Sequence, residues 1–217
     1  MMAVYDLEEQ EQISELKAWW AQYGNLVTAI AVVAALASVG WQGFQYYKNK
    51  QAGEAGSLYF AVQSAAQQGN AQKAREAAGQ IIEKFPGTSY AEMAALISAG
   101  VQLSAGDGKN ARAQLEWLLD KGNDAALKDI ARLRLAAVLL DEGAHDEALA
   151  RLGGTAPAPA LKARFEDLRG DVLAASGKIA EARSAYQAAI DALGVEGAEG
   201  GETLREVIRV KQQALEG

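Results

Sequence analysis

A chain without cysteine can do nucleophilic or acid–base chemistry only through histidine, paired carboxylates or an activated hydroxyl, and this sequence offers little of each. Its single histidine, His145, precedes Asp146 and Glu147. An imidazole beside a carboxylate suits a general base or a metal ligand. With no second histidine and no thiolate to complete a ligand set, the pattern reads instead as an exposed turn histidine among solvated acids. The pairs Asp141-Glu142 and Asp146-Glu147 read as the solvated ends of helices. There is no G-x-S-x-G elbow, no phosphate-cradling glycine loop and no metal-spaced cluster. Catalytic, cofactor-binding and metal-binding residues are therefore all expected to be absent, as is a small-molecule substrate. Tyr59, Phe60, Trp117, Phe165 and Tyr186 fall on helical faces and are expected in a core or groove.

The charge balance excludes another class. Of 217 residues, 28 are acidic and 21 basic, with no basic stripe, so nucleic acid is not an expected partner. Alanine, leucine, glutamate, glutamine and arginine, the strong helix formers, dominate, and only three prolines interrupt them. The expected fold class is all-α.

What remains to be explained is position: which elements hold this chain, and where. From Ala18 to Tyr47 there are thirty residues without a charge, and the middle, Asn25 to Val39, is almost wholly apolar. Twenty helical residues span roughly 30 Å, one bilayer hydrocarbon core. Trp19, Trp20 and Tyr23 stand before the run and Trp41, Tyr46 and Tyr47 after it, the pattern of interfacial aromatic belts. A core helix of a soluble domain would carry a polar face here. A cleaved signal would need a basic leader, whereas this one reads Asp6-Leu-Glu-Glu-Gln-Glu-Gln12. The reading is a single transmembrane helix at 18–47, behind a short acidic tail at 1–17 and ahead of a helical domain at 48–217. Its seven Leu, Ile and Val residues give an insertion energy of roughly −2 to −4 kcal/mol, sufficient but weak. Ala31 and Ala35, with Ala34 and Ser38, form small-x-x-x-small pairs, a possible face for a helix partner in lipid.

A repeat organises the rest. Four turns share a glycine followed five residues later by alanine: Gly69 and Ala74, Gly106 and Ala111, Gly143 and Ala148, Gly177 and Ala182. The glycines are 37, 37 and 34 residues apart, a period that marks a helical array. Glycine suits a left-handed helix end, and alanine suits a close helix crossing. The fourth unit is fullest, with Gly170, Gly177, Ala182, Tyr186 and Ala189, and the spacing resembles the tetratricopeptide pattern. Helix pairs are expected at 52–68 with 70–84, 88–105 with 107–121, 124–142 with 144–152, and 160–176 with 178–193. The second helix of the third pair is cut short by Gly153, Gly154, Pro157 and Pro159. A flexible loop at 194–201 then leads to a charged capping helix at 202–215.

The acidic N-terminus, the anchor and the four-unit repeat domain together resemble the YfgM-like ancillary subunits of the bacterial SecYEG translocon. The similarity is sharpest at Tyr5-Asp-Leu-Glu-Glu-Gln10, Leu16-Lys17-Ala-Trp-Trp20, Tyr23-Gly24 and Gly40-Trp41-Gln-Gly-Phe-Gln-Tyr-Tyr47. The resemblance implies an inner-membrane protein with a cytoplasmic N-terminus and a periplasmic repeat domain. It further implies association with SecYEG and with PpiD, a membrane-anchored periplasmic chaperone, and no catalytic residues. The positive-inside rule, with Lys17 before the anchor against Lys48 and Lys50 after it, leans weakly the other way. Two other uses of such a domain are a membrane-tethered adaptor that sequesters a signalling protein and an assembly factor for another envelope complex.

Overall fold

The computed structural model describes residues 3–194 and 201–215, with side chains from 12 onward. Among these residues there is no strand. The helices are α1 (Ala3–Gln67), α2 (Ala71–Lys84), α3 (Ser89–Ser104), α4 (Gly108–Lys121), α5 (Ala125–Asp141), α6 (His145–Leu152), α7 (Lys162–Ala175), α8 (Ile179–Ala192) and α9 (Gly201–Ala214), with one 3-10 turn at Pro159–Leu161. The chain divides into two units, Met1–Gln51 and Ala52–Gly217.

The first unit is the helical stretch that holds the apolar run. Its apolar side chains have nothing to bury against: Leu36 and Val39 are each 68% exposed. A helix apolar on all sides and exposed on all sides is long and apolar enough to cross a membrane, and it is not a core helix of this unit. The sequence placed the start of the first repeat helix near residue 52, but no helix end occurs there; α1 includes that stretch. Gly53 and Gly56 each weaken a helix by only about 1 kcal/mol, and no proline follows to stop it.

In the second unit the four repeat turns are the same object built four times. The amides of Gly69, Gly106, Gly143 and Gly177 donate to the carbonyls of Ala66, Leu103, Leu140 and Ala174 at 2.9–3.0 Å. The following amides, of Asn70, Asp107, Ala144 and Lys178, reach back to Ala65, Gln102, Leu139 and Leu173 at 2.8–2.9 Å. This is a Schellman helix end, which needs a left-handed residue at its centre, and the four glycines have φ of 64°, 77°, 73° and 76°. Asn70 and Asp107 then cap the next helix with their side chains, accepting from Lys73 and Asn110 amides. Ala144 and Lys178 make no side-chain cap.

From α2 to α9 the helices pack in order along the chain, and α3 also lies on α5, and α5 on α7, so that the first helices of these pairs stand side by side. Ala74, Ala111, Ala148 and Ala182 are fully buried. Gly170 is the tightest crossing, because a Cβ built there would overlap the Tyr186 ring. The core runs in three connected patches, the largest around Leu115, Leu118, Leu135, Leu139 and Phe165.

The short α6 leaves a gap that polar side chains close. Arg132 on α5 donates to the carbonyls of Arg151, Gly153 and Thr155 at 2.8–3.1 Å, and Arg169 on α7 donates to that of Leu152 at 2.8 Å. These carbonyls end a helix that glycine and proline prevent from continuing, so cationic donors satisfy them. Asp129 accepts from the Ala158 amide at 2.8 Å, and one repeat earlier Glu92, 3% exposed, accepts from the amides of Asn123 and Asp124.

The expected loop at 194–201 falls mainly at 195–200, outside the described residues. Beyond it α9 docks through Ile208, which is fully buried, and through Lys211, whose ammonium bridges Asp167 and Asp171 at 2.8 Å each.

Candidate binding groove

Side by side, α1, α3 and α5 enclose a cavity of about 550 Å³ open to solvent. Tyr59 and Ala66 come from α1, and Met93, Ile97 and Val101 from one face of α3, at helical spacing. Ile130 and Arg134 come from α5. The walls are mostly apolar and half-exposed, and Tyr59 packs at a tilt on Tyr90, ring centres 5.4 Å apart, while its hydroxyl sits 3.9 Å from the Met93 sulfur. Flexible Met93 beside an aromatic hydroxyl makes a surface that can adapt to more than one shape. Arg134 reaches across to α3, donating from Nη1 to the Leu96 carbonyl at 2.8 Å, beside Gly100. Burial lowers the pKa of this guanidinium from its ordinary value.

Trp19, Trp20, Tyr23, Trp41, Tyr46 and Tyr47, the expected membrane-interface anchors, are all exposed. Trp20 folds over Gly24, and Trp19 packs on Tyr23 with ring centres 5.8 Å apart. Lys48 lies over the Phe44 ring at 5.6 Å. Ala31, Ala34, Ala35 and Ser38 are exposed along one side of α1.

Two sequence expectations need correction. Phe60, expected in a core or groove, is not in the core: it is 71% exposed, because the inward face of α1 is set by Ala55, Val62 and Ala65, and it borders a cavity of about 350 Å³ with Ala61 and Ser64. His145 was placed in an exposed turn but is the first residue of α6 and half-buried, since the Gly143 turn lets the helix restart at once. It borders a polar cavity of about 660 Å³ with Asp146, Glu147, Ser176 and Lys178. Among the described residues no group of three or more His, Cys, Asp or Glu side chains could hold a metal ion. Glu142 and Glu147 do more than meet solvent: Arg112 of the preceding repeat pairs with both, at 2.9 and 3.2 Å. Half-exposed pairs of this kind add little stability.

Sequence reasoning named the turns but missed Arg134, Arg132, Asp129 and Glu92. A signal was present for three of them. Glu92 and Asp129 are 37 residues apart, as are Arg132 and Arg169, the period of the glycine turns.

A family model described as a tetratricopeptide repeat-like domain matches residues 17–217, the apolar run and all four helix pairs included. The chain belongs to the tetratricopeptide repeat-like family. Proteins with similar sequences are named ancillary SecYEG translocon subunits. One from Haemophilus influenzae is 28% identical over 85% of this chain and 90% of its own length. One from Neisseria gonorrhoeae is 29% identical over 85% and 88%. One from Escherichia coli is 29% identical over 87% and 90%.

Proposed function

We propose that this chain is a non-catalytic ancillary subunit of the SecYEG translocon, held in the bacterial inner membrane by the apolar stretch of α1. The observation that carries the reading is the extent of the likeness. Relatives of that name align over about nine-tenths of their own length, and the family model starts at residue 17, ahead of the apolar run, so likeness is not confined to a widespread repeat. The N-terminus lies in the cytoplasm and the repeat domain in the periplasm, where the groove receives a chaperone such as PpiD or an emerging chain. Apolar, adaptable walls on a repeat scaffold support that use.

One strain tests both parts. A tagged chain carrying Ser57→Cys, the sole thiol and an exposed position, is extracted from native membranes in mild detergent. SecY and PpiD are expected to co-purify. In cells with a permeabilised outer membrane, an impermeant maleimide is expected to label Cys at 57. Absence of any Sec component overturns the translocon role, absence of PpiD alone overturns only the chaperone link, and labelling solely after lysis overturns the orientation.

A further inference from the structure

The chain has no cysteine, and of its three methionines only Met93 lies beyond the first two residues. Its thioether is therefore the one sulfur of the repeat domain. Core packing does not account for it. On α3 the neighbouring Ala94, Ala95 and Leu96 are buried, whereas Met93 is half-buried. It stands in the wall of the cavity of about 550 Å³ between α1, α3 and α5, which is open to solvent. Ile97 and Val101 continue that wall without sulfur. The one directional contact of the thioether is to Tyr59, whose hydroxyl donates to the sulfur at 3.9 Å. A thioether sulfur has two lone pairs, and this bond engages one of them. Packing on Tyr90 keeps the phenol in place.

We propose that Met93 is a reversible oxidation site: a peroxide-class oxidant entering the open groove adds oxygen to the lone pair that Tyr59 leaves free, so that one sulfoxide epimer forms. In that step the sulfur attacks one oxygen of hydrogen peroxide, the S–O bond forms and the O–O bond breaks. The sulfur loses two electrons, and the departing hydroxide takes the proton of the transferred oxygen and leaves as water. A dithiol reductase reverses the step, releasing the oxygen as water and closing its own disulfide. Oxidation replaces a flexible, apolar side chain by a polar, chiral one on a mostly apolar wall. The change belongs to the wall itself and stands whatever the groove binds.

The test uses the full chain in lipid nanodiscs, treated with hydrogen peroxide beside N-acetylmethionine amide as a reference. The chain is then unfolded, so that access no longer matters, and divided between A-type and B-type methionine sulfoxide reductases. Each enzyme repairs one epimer, and mass spectrometry of the peptide holding Met93 reads the share repaired. Met93 is expected to oxidise within about 10-fold of the reference rate, since reactivity follows exposure. One reductase is expected to repair about fivefold more of it than the other, the ratio that a single hydrogen bond commands. Tyr59→Phe keeps the ring and removes the donor, and is expected to bring the two shares close to equal. A purely packing role for Tyr59 would leave the ratio unchanged. The folded, oxidised chain is expected to regain its thioether on treatment with the matching reductase. Met93 left intact while the reference is consumed overturns the proposal. So do equal shares in the unmodified chain, an unchanged ratio in Tyr59→Phe, or a folded sulfoxide that neither reductase restores. None of these outcomes bears on co-purification with Sec components.

Discussion

At the scale of single residues, the fold depends on where side chains are absent. Gly170 and Gly79 are both helical glycines, but their surroundings are opposite. A Cβ on Gly170 would overlap Tyr186, whereas one on Gly79 meets nothing within 4 Å. Gly170→Ala is therefore expected to destabilise the repeat domain by about 1–3 kcal/mol through overpacking. Gly79→Ala is expected to stabilise it by about 0.5–1 kcal/mol by removing backbone freedom from the unfolded chain. Thermal unfolding of the two variants followed by circular dichroism checks both; shifts of the same sign would contradict this account. The same contrast explains what sequence revealed. A glycine–alanine spacing repeated four times was legible because each turn is local and each is bonded the same way. Arg132 and Asp129 serve backbone groups 19 to 29 residues away, and contacts of that reach leave no local pattern, only the 37-residue spacing to Arg169 and Glu92.

Among the elements, α9 is held partly by charge. Its hydrophobic hold on the domain centres on Ile208, and its polar hold is Lys211 between Asp167 and Asp171, with the Tyr186 hydroxyl donating to Asp171 at 2.8 Å. Burial opposes the Lys211 charge, but hydrogen bonds to the two carboxylates outweigh it and leave the ammonium above its ordinary pKa. Burial, then the bond to Asp171, raises the Tyr186 phenol as well. Both groups thus hold their protons more tightly folded than unfolded. Their stabilisation is complete at neutral pH and falls as pH rises above about 10, where the unfolded chain releases protons that the folded one retains. Amide hydrogen exchange is expected to show α9 losing protection, corrected for the intrinsic rate, between pH 9 and 11 ahead of α3 and α5. Loss of protection in α9 on acidifying from pH 9 to 7 would contradict the sign. The capping role of this helix was legible from its place after the last repeat, and the clasp was not, since it joins residues 40 to 44 apart.

At the scale of the whole molecule, an apolar helix precedes a repeat domain that carries a groove. Element types and most boundaries could be read from the period of the turns and from the uncharged run, both of which are one-dimensional signals. The groove could not. Whether Arg134 or Lys128 of α5 faces it depends on how α3 and α5 pack, and the exposure of Phe60 depends on which face of α1 meets α2. The proposed role as an ancillary translocon subunit predicts that the apolar stretch lies beside translocon subunits in the membrane. It is tested most directly by placing a photocrosslinking amino acid at Ala35 in the full chain, irradiating intact cells and identifying adducts by mass spectrometry. The account predicts adducts with SecY, SecE or SecG that disappear when the crosslinker is moved into α9. Adducts confined to lipid or to membrane proteins outside the translocon would contradict it.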